Sequence, residues 1–351
     1  MCVLEQVRPH TLGQHLAGGR PWDLDRTYGG LRVLFPHQGD GESGWHQGNA
    51  DAIYRNRSVL RDVDPDVVLV LSADHVYKLD YRKVVDAHLE RQAELTMVTT
   101  VVTEDEARRF GNVSVDDDGR IEQFVYKPDN PIGDVVTTEV FAFETGALLD
   151  AMDELAGSRD GNDEGGAMED FGDDLLPYLV DAGRVFDYRF DGYWRDVGTL
   201  ESYWEAHMDL LEARPRLRLD DRSWPVLTTD SSRPPARLYR SASIDSSLVS
   251  PACTVRGRVT RSVLGPGVVV EEGAEVSGSV LLHDTVVEAG GRISGAVCDM
   301  GVRVAGGASV GRQIEAEDLT SGDLVVLGEG VQVPAGAEVS AGSRVEAGGP
   351  V

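Results

Sequence analysis

Two aspartates stand where acids hold metal ions. Asp74 follows the apolar run Val67-Val68-Leu69-Val70-Leu71 after Ser72 and Ala73, and in open α/β sheets ligands bind outside the carboxyl ends of strands. Asp196 lies in Gly192-Tyr193-Trp194-Arg195-Asp196-Val197-Gly198-Thr199, which reads as a short strand entering a helix whose first turn follows Thr199. Two carboxylates converging from separate strands are a usual way to hold a magnesium ion that also binds substrate phosphates. Lys127, in Phe124-Val125-Tyr126-Lys127-Pro128, shares its residue type only with Lys78 and Lys83. Its place at a proline-ended strand suits a phosphate contact. Gly48-Asn49-Ala50-Asp51-Ala52 starts a helix with small residues that permit close approach of a ring or backbone. Each signal also has a plainer reading: strand-end aspartates commonly form turns, strand-end lysines are commonly solvated, and Gly48 alone is an N-cap.

The elements that must position these residues fall into two patterns. From Asp51 to about Ala213 strand-like and helix-like segments alternate, as in α/β proteins whose sheets are covered on both faces. Val67–Leu71 is a continuous apolar run and predicts a central strand buried on both faces. Residues 50–60 and 81–92 have helical spacing, while 95–102, 121–125 and 140–143 read as further strands. The acidic, glycine-rich stretch 157–169 has too little apolar content to pack and reads as a mobile loop.

The pattern then changes. Val259, Val276, Ile293 and Val310 recur at a step of about 17, Val263, Val280 and Val297 follow the same step, and Val270, Val287 and Val304 form a third column. Val333, Val339 and Val345 continue at a step of about six. Three short strands per coil, each pointing one aliphatic residue inward and turning on small residues, predict a triangular β-helix of hexapeptide repeats. The expected domains are 1–213, a linker over 214–241 that carries prolines and arginines without periodicity, and the solenoid over 242–351.

The formal charge of -27 on 351 residues argues against a nucleic-acid backbone or an anionic membrane surface as partner. Cys2, Cys253 and Cys298 are widely separated and form no metal or disulfide spacing, which fits a reducing cytoplasm. The first residues carry no secretory signal pattern, and no apolar run is long enough to span a bilayer.

In chain order, Gly44-Trp45-His46-Gln47-Gly48-Asn49-Ala50-Asp51-Ala52, Leu71-Ser72-Ala73-Asp74-His75-Val76-Tyr77-Lys78, Phe110-Gly111, Tyr126-Lys127-Pro128, Asp170-Phe171-Gly172 and Tyr193-Trp194-Arg195-Asp196-Val197-Gly198-Thr199 resemble the successive signatures of ADP-glucose pyrophosphorylases, also called glucose-1-phosphate adenylyltransferases. The resemblance covers nearly the whole chain. It implies an α/β fold with a Rossmann-like nucleotidyltransferase domain, incomplete at its N-terminus, followed by a left-handed parallel β-helix. It also implies transfer of an adenylyl group from ATP to glucose 1-phosphate, giving ADP-glucose and pyrophosphate for glycogen or related glucan synthesis. On matching positions, Asp74 and Asp196 would hold Mg2+ and Lys127 would meet the sugar phosphate. Gly111 and Thr137 would lie along the glucose, Trp194 and Asp51 would shape the pocket, and Gly48 would allow the substrate's close approach. A homotetramer, or a hetero-oligomer with an active subunit, is the implied assembly.

Three departures from the family pattern bear on activity. The glycine-rich loop and following lysine that cradle the triphosphate have no counterpart, Tyr126 stands where a glutamate usually precedes the sugar-phosphate lysine, and His46 stands for an aromatic residue. Loss of loop donors and of a lysine from a charged transition state would each cost about 3 kcal/mol, about a hundredfold in rate. Little turnover is expected of the chain as written, with an internal start of the reading frame as the expected origin of the shortening. A non-catalytic regulatory paralogue is the competing expectation. An acyltransferase, the third, would need a catalytic histidine between coils, where His283 stands alone.

Overall fold

The computed structural model describes residues 1–7, 9–36, 46–158, 170–229, 232–312 and 322–351. Most of the acidic stretch read as a loop, 159–169, lies outside the described residues. The described strands before the repeats are β1 (Cys2–Leu4), β2 (Arg32–Leu34), β3 (Val67–Leu71), β4 (His75–Tyr77), β5 (Leu95–Val101), β6 (Gly111–Val115), β7 (Ile121–Tyr126), β8 (Val135–Glu144), β9 (Val185–Arg189) and β10 (Trp194–Asp196). The helices are α1 (Pro9–Leu16), α2 (Asn49–Arg55), α3 (Arg57–Val63), α4 (Tyr81–Glu90), α5 (Glu104–Ala107), α6 (Thr145–Ser158), α7 (Leu176–Ala182) and α8 (Leu200–Asp209). Among the described residues, no helix is long and apolar enough to cross a membrane.

The chain divides into two compact units that do not follow chain order. The first comprises Met1–Ala73, Lys78–Trp194 and Val226–Asp230; the second comprises Asp74–Tyr77, Arg195–Pro225 and Ser231–Val351.

In the first unit a mixed sheet runs β7-β6-β8-β5-β9, and β3 pairs antiparallel with the end of β8. β5 carries β8 antiparallel on one side and β9 parallel on the other. Leu95, Met97, Phe141 and Phe143 from the sheet pack with Leu148 and Met152 of α6 and with Phe171 and Leu175 in one buried cluster. β3 departs from the expectation of burial on both faces, because its residues are half-buried and Leu71 is exposed. The reason is topological. Among the described residues β3 pairs only with β8, so apolar composition gives its preference for a sheet but not its place in one.

On α4, buried His88 shares a 3.0 Å hydrogen bond between Nδ1 and the Thr96 hydroxyl. Burial pushes its imidazole pKa down, outweighing the nearby Glu144 carboxylate.

In the second unit three faces, each a six-stranded parallel sheet among the described residues, make up the solenoid. Val259 pairs in register with Val276, Ile293 and Val310, and Val270 with Val287 and Val304. Both columns lie in the solenoid's buried core. The column Val263, Val280 and Val297 points outward instead, and Leu264, Leu281 and Cys298 fill the inward places on that face. Side chains alternate across a strand, and here both residues of each pair are apolar, so the spacing could not tell inside from outside. What covers the outward valines is α8. Trp204 and Met208 pack against Val280, Val297 and Leu324, and Trp204 Nε1 donates to the Gly278 carbonyl at 2.8 Å.

Serines satisfy backbone donors at one corner of the coils. Ser262 N–H donates to Ser247 Oγ, Ser279 N–H to Ser262 Oγ, and Ala296 N–H to Ser279 Oγ, at 3.1–3.2 Å. Cys253 and Cys298 both lie in the solenoid core, where burial pushes the Cys298 thiol up to about 12. Cys2 is exposed.

Two outcomes are expected. Trp204→Ala removes a buried indole and its hydrogen bond, and should destabilise the second unit by about 3–5 kcal/mol, read from its urea unfolding midpoint. A depressed His88 pKa means that the unfolded chain binds this proton more readily. His88 therefore favours the fold above its unfolded pKa of about 6.5, and that contribution is lost as pH falls through 6.5 toward the lower folded value. The midpoint should drop less between pH 7 and pH 5 in His88→Gln than in the unaltered chain.

Candidate active site

A polar pocket opens in the first unit where β3, β7, β8 and the segment after Asp170 meet. Its polar lining is Asn49, Ser72, Tyr126, Thr137, Glu139 and Asp170; Val70, Phe124, Phe141 and Phe171 supply apolar walls. Thr137 is buried on β8, and its Oγ1 lies 3.1 Å from where a Cβ at Gly111 would sit. That same Cβ would come within 2.6 Å of the Phe124 ring, so Gly111 is the residue that lets β6 and β7 close behind the pocket.

Tyr126 ends β7 and lies flat over Gly172. A Cβ there would meet its ring carbons at contacts that no side chain tolerates. The phenol donates to Asp170 Oδ2 at 3.2 Å, and Asp170 Oδ1 accepts from Gly172 N–H at 3.0 Å, capping the helical turn Phe171–Leu175. Asn49 Oδ1 accepts from Phe171 N–H at 2.8 Å and ties the start of α2 to the same turn.

Lys127 follows with φ +41°, a left-handed conformation that costs a non-glycine residue about 1–3 kcal/mol. Its N–H donates to the Phe110 carbonyl at 3.1 Å, and its ammonium stands 4.6 Å from the Tyr126 ring centroid. Burial works to lower the ammonium's pKa, but Tyr126, Glu139 and Asp170 together outweigh it and hold the pKa above the ordinary value. Lys127 is thus a fixed positive charge at neutral pH.

Gly48 is the extended N-cap residue of α2. Asp51 is almost wholly buried, and its carboxylate accepts from Gln47 N–H and Arg55 Nε at 2.8–3.0 Å. Neither lines the pocket; Asp51 locks the first turns of α2, which present Asn49. Trp194 packs edge-on against Phe110, with ring centroids 5.1 Å apart, in a cluster with Ala107 and Val136.

In the second unit the two aspartates meet. β4 and β10 form a two-stranded sheet, and Val197 N–H donates to the Asp74 carbonyl at 2.8 Å. Asp196 Oδ1 accepts from Gly198 N–H at 2.6 Å. A Cβ on Gly198 would lie 2.9 Å from Asp196 Oδ1 and 3.6 Å from Asp74 Oδ2, so both carboxylates reach the same small volume, and glycine keeps it open. Arg195, next to Asp196 in β10, turns away to Glu205 and Asp209 of α8. Paired carboxylate oxygens beside an open space fit a hard divalent cation.

Of the residues expected from sequence, Asp74 and Asp196 come together in the second unit, and in the first Thr137 lines the pocket, Gly111 packs behind it and Lys127 follows Tyr126 of its lining. Asn49, Glu139 and Asp170 were not singled out from sequence, and Tyr126 was named there only as a departure from the family pattern. Asn49, Tyr126 and Asp170 fall inside the quoted motifs, and the signal for Glu139 is a lone acid in the otherwise uncharged stretch Val135–Phe143.

Residues 1–213 match the family model described as Nucleotidyl transferase, and residues 234–333 the one described as GlmU-like, C-terminal hexapeptide. The chain is similar to a glucose-1-phosphate adenylyltransferase of Thermomicrobium roseum, 40% identical over 296 residues that cover 77% of this chain and 68% of that protein. It is 38% identical over 281 residues to that of Bacillus thuringiensis, covering 80% and 73%. With that of Bacillus cytotoxicus it shares 34% identity over 330 residues, covering 94% and 85%.

Gly172→Ala should displace the Tyr126 ring and break its bond to Asp170. A loss of about 1–3 kcal/mol is expected, measured as a lower denaturant midpoint, together with a changed environment of the tyrosine in near-ultraviolet circular dichroism.

Proposed function

Because the chain belongs to the glucose-1-phosphate adenylyltransferase family, we propose that it transfers the adenylyl group of ATP to glucose 1-phosphate, releasing pyrophosphate and forming ADP-glucose. The observation that carries this reading is the meeting of the Asp74 and Asp196 carboxylates beside Gly198.

A phosphate oxygen of glucose 1-phosphate attacks the α-phosphorus in line. The new phosphorus–oxygen bond forms as the bond to the bridging oxygen breaks, and the electron pair leaves with pyrophosphate. No protein nucleophile is needed. Both reactants are anions, so the residues' work is to align them and to offset charge. Lys127, held protonated by its neighbours, meets the sugar phosphate. Thr137 and Gly111 run along the sugar, and Trp194 stiffens the wall through Phe110. Asp51 serves from behind, fixing the helix start at Gly48 that carries Asn49.

Asp74 and Asp196 would hold the divalent cation that nucleotidyltransferases of this kind commonly use, with Mg2+ the proposed ion. When bound, it supplies positive charge against the phosphate oxygens. A second reading, a non-catalytic partner of an active subunit, is favoured by Tyr126 lying across Gly172 within the pocket. That reading requires sugar-phosphate binding without turnover.

Pyrophosphate release with ATP and glucose 1-phosphate should fall on the order of a hundredfold in Asp74→Asn and in Asp196→Asn. Binding of Mn2+ as a paramagnetic probe should weaken in parallel. Unchanged release and unchanged Mn2+ binding in both variants would remove the metal assignment. Tight glucose 1-phosphate binding with no release from the unaltered chain would select the non-catalytic reading.

A further inference from the structure

Glu139 holds a conformation rare for a strand residue. Its φ is +53°, in the left-handed region that favours glycine, yet it sits inside β8. Met97 pairs with Phe141 and Thr99 with Thr137, so Thr138, Glu139 and Val140 of β8 all lie opposite Val98 in an irregular bulge. Bulges re-aim side chains and cluster beside functional sites. Thr138 Oγ1 donates to the Val98 carbonyl at 3.0 Å, and Ser72 N–H donates to the Glu139 carbonyl at 3.1 Å. A side-chain hydroxyl on one side and a backbone N–H on the other therefore hold the bulge, and its product is an acidic residue lining the pocket.

The hydrogen-bond inventory of the pocket says what that carboxylate is available for. Asp170, the other acid of the lining, has one oxygen committed to Gly172 N–H and the other to the Tyr126 hydroxyl. The side-chain oxygen of Asn49 is committed to Phe171 N–H. No side-chain hydrogen bond is formed by Glu139 among the described residues, although it is half-buried beside Val70 and Phe141. The charge it faces is the Lys127 ammonium, whose pKa it helps to raise. Strained residues of this kind cluster at binding sites.

From this we infer that Glu139 is the hydroxyl acceptor of the pocket, taking hydrogen bonds from the sugar of a hexose 1-phosphate and so selecting among sugars. The inference rests on the reading of the pocket as a sugar-phosphate site. A carboxylate offers two acceptor oxygens and no donor. It therefore suits hydroxyls on neighbouring ring carbons and discriminates against a sugar that lacks one of them. Lys127 answers the phosphate, and Glu139 answers the ring.

The test is calorimetric titration of the full chain, without ATP, using glucose 1-phosphate, its 2-, 3-, 4- and 6-deoxy analogues, and inorganic phosphate. Glu139→Gln keeps the shape and removes the charge. It should weaken glucose 1-phosphate binding about 10- to 100-fold, the range for a hydrogen bond to a charged group. Inorganic phosphate should bind both proteins alike. For at least one deoxy analogue the difference between the two proteins should vanish, which names the hydroxyl that Glu139 accepts. A merely structural role would weaken every ligand equally, and that outcome overturns the inference. So does equal binding of glucose 1-phosphate by both proteins, which leaves the functional reading standing. Failure of the unaltered chain to bind any hexose 1-phosphate overturns the functional reading and this inference with it.

Discussion

One backbone hydrogen bond, from Val197 N–H to the Asp74 carbonyl, brings together the two aspartates of the second unit. It fastens β10 beside β4; Asp196 ends β10, and Asp74 directly precedes β4. Neither aspartate is deeply buried, so neither is held by packing around its own side chain. Their convergence comes from strand pairing and from the glycine at 198. The pairing in turn continues into α8, whose Thr199 caps the helix by accepting from Ser202 N–H. Arg195 braces strand to helix through Glu205 and Asp209. The helix is itself anchored on the outward valines of the solenoid. The repeats thus do more than lengthen the chain, because they are the support on which the acid pair's own strand continues.

The pocket of the first unit follows a different logic. Two left-handed backbone conformations mark it, at Glu139 within β8 and at Lys127 just past the end of β7. Tyr126, Asp170 and Gly172 form a closed set in which the ring needs the glycine's bareness and the carboxylate caps the turn that carries the glycine. Such a set is rigid, and a rigid wall discriminates between ligands better than a yielding one.

Much of this was legible in the sequence. The alternation of strands and helices, the spacing of the solenoid valines, and Asp74 and Asp196 at strand ends all follow from periodicity and residue type. What stayed hidden depended on long-range pairing. The half-exposure of β3 could not be read from Val67–Leu71, because apolar composition says nothing about which edges are paired. The outward turn of Val263, Val280 and Val297 was invisible because each has an apolar neighbour and the covering helix lies far upstream in sequence. Glu139 escaped notice because a bulge, rather than its residue type, brings it into the pocket. Asp51 shows the opposite case, since a charged residue in a signature stretch proves to be a buried brace for Arg55.

The burial of two of the three cysteines has a practical side. Cys253 and Cys298 point into the coils, and Cys298 keeps its proton at any pH the fold would meet. Thiol-directed reagents attack through the thiolate. A maleimide dye applied to the folded chain is therefore directed to Cys2, on β1. The molecule comes with a built-in attachment point, and a fluorophore there reports on the β1–β2 pair without a single residue being changed.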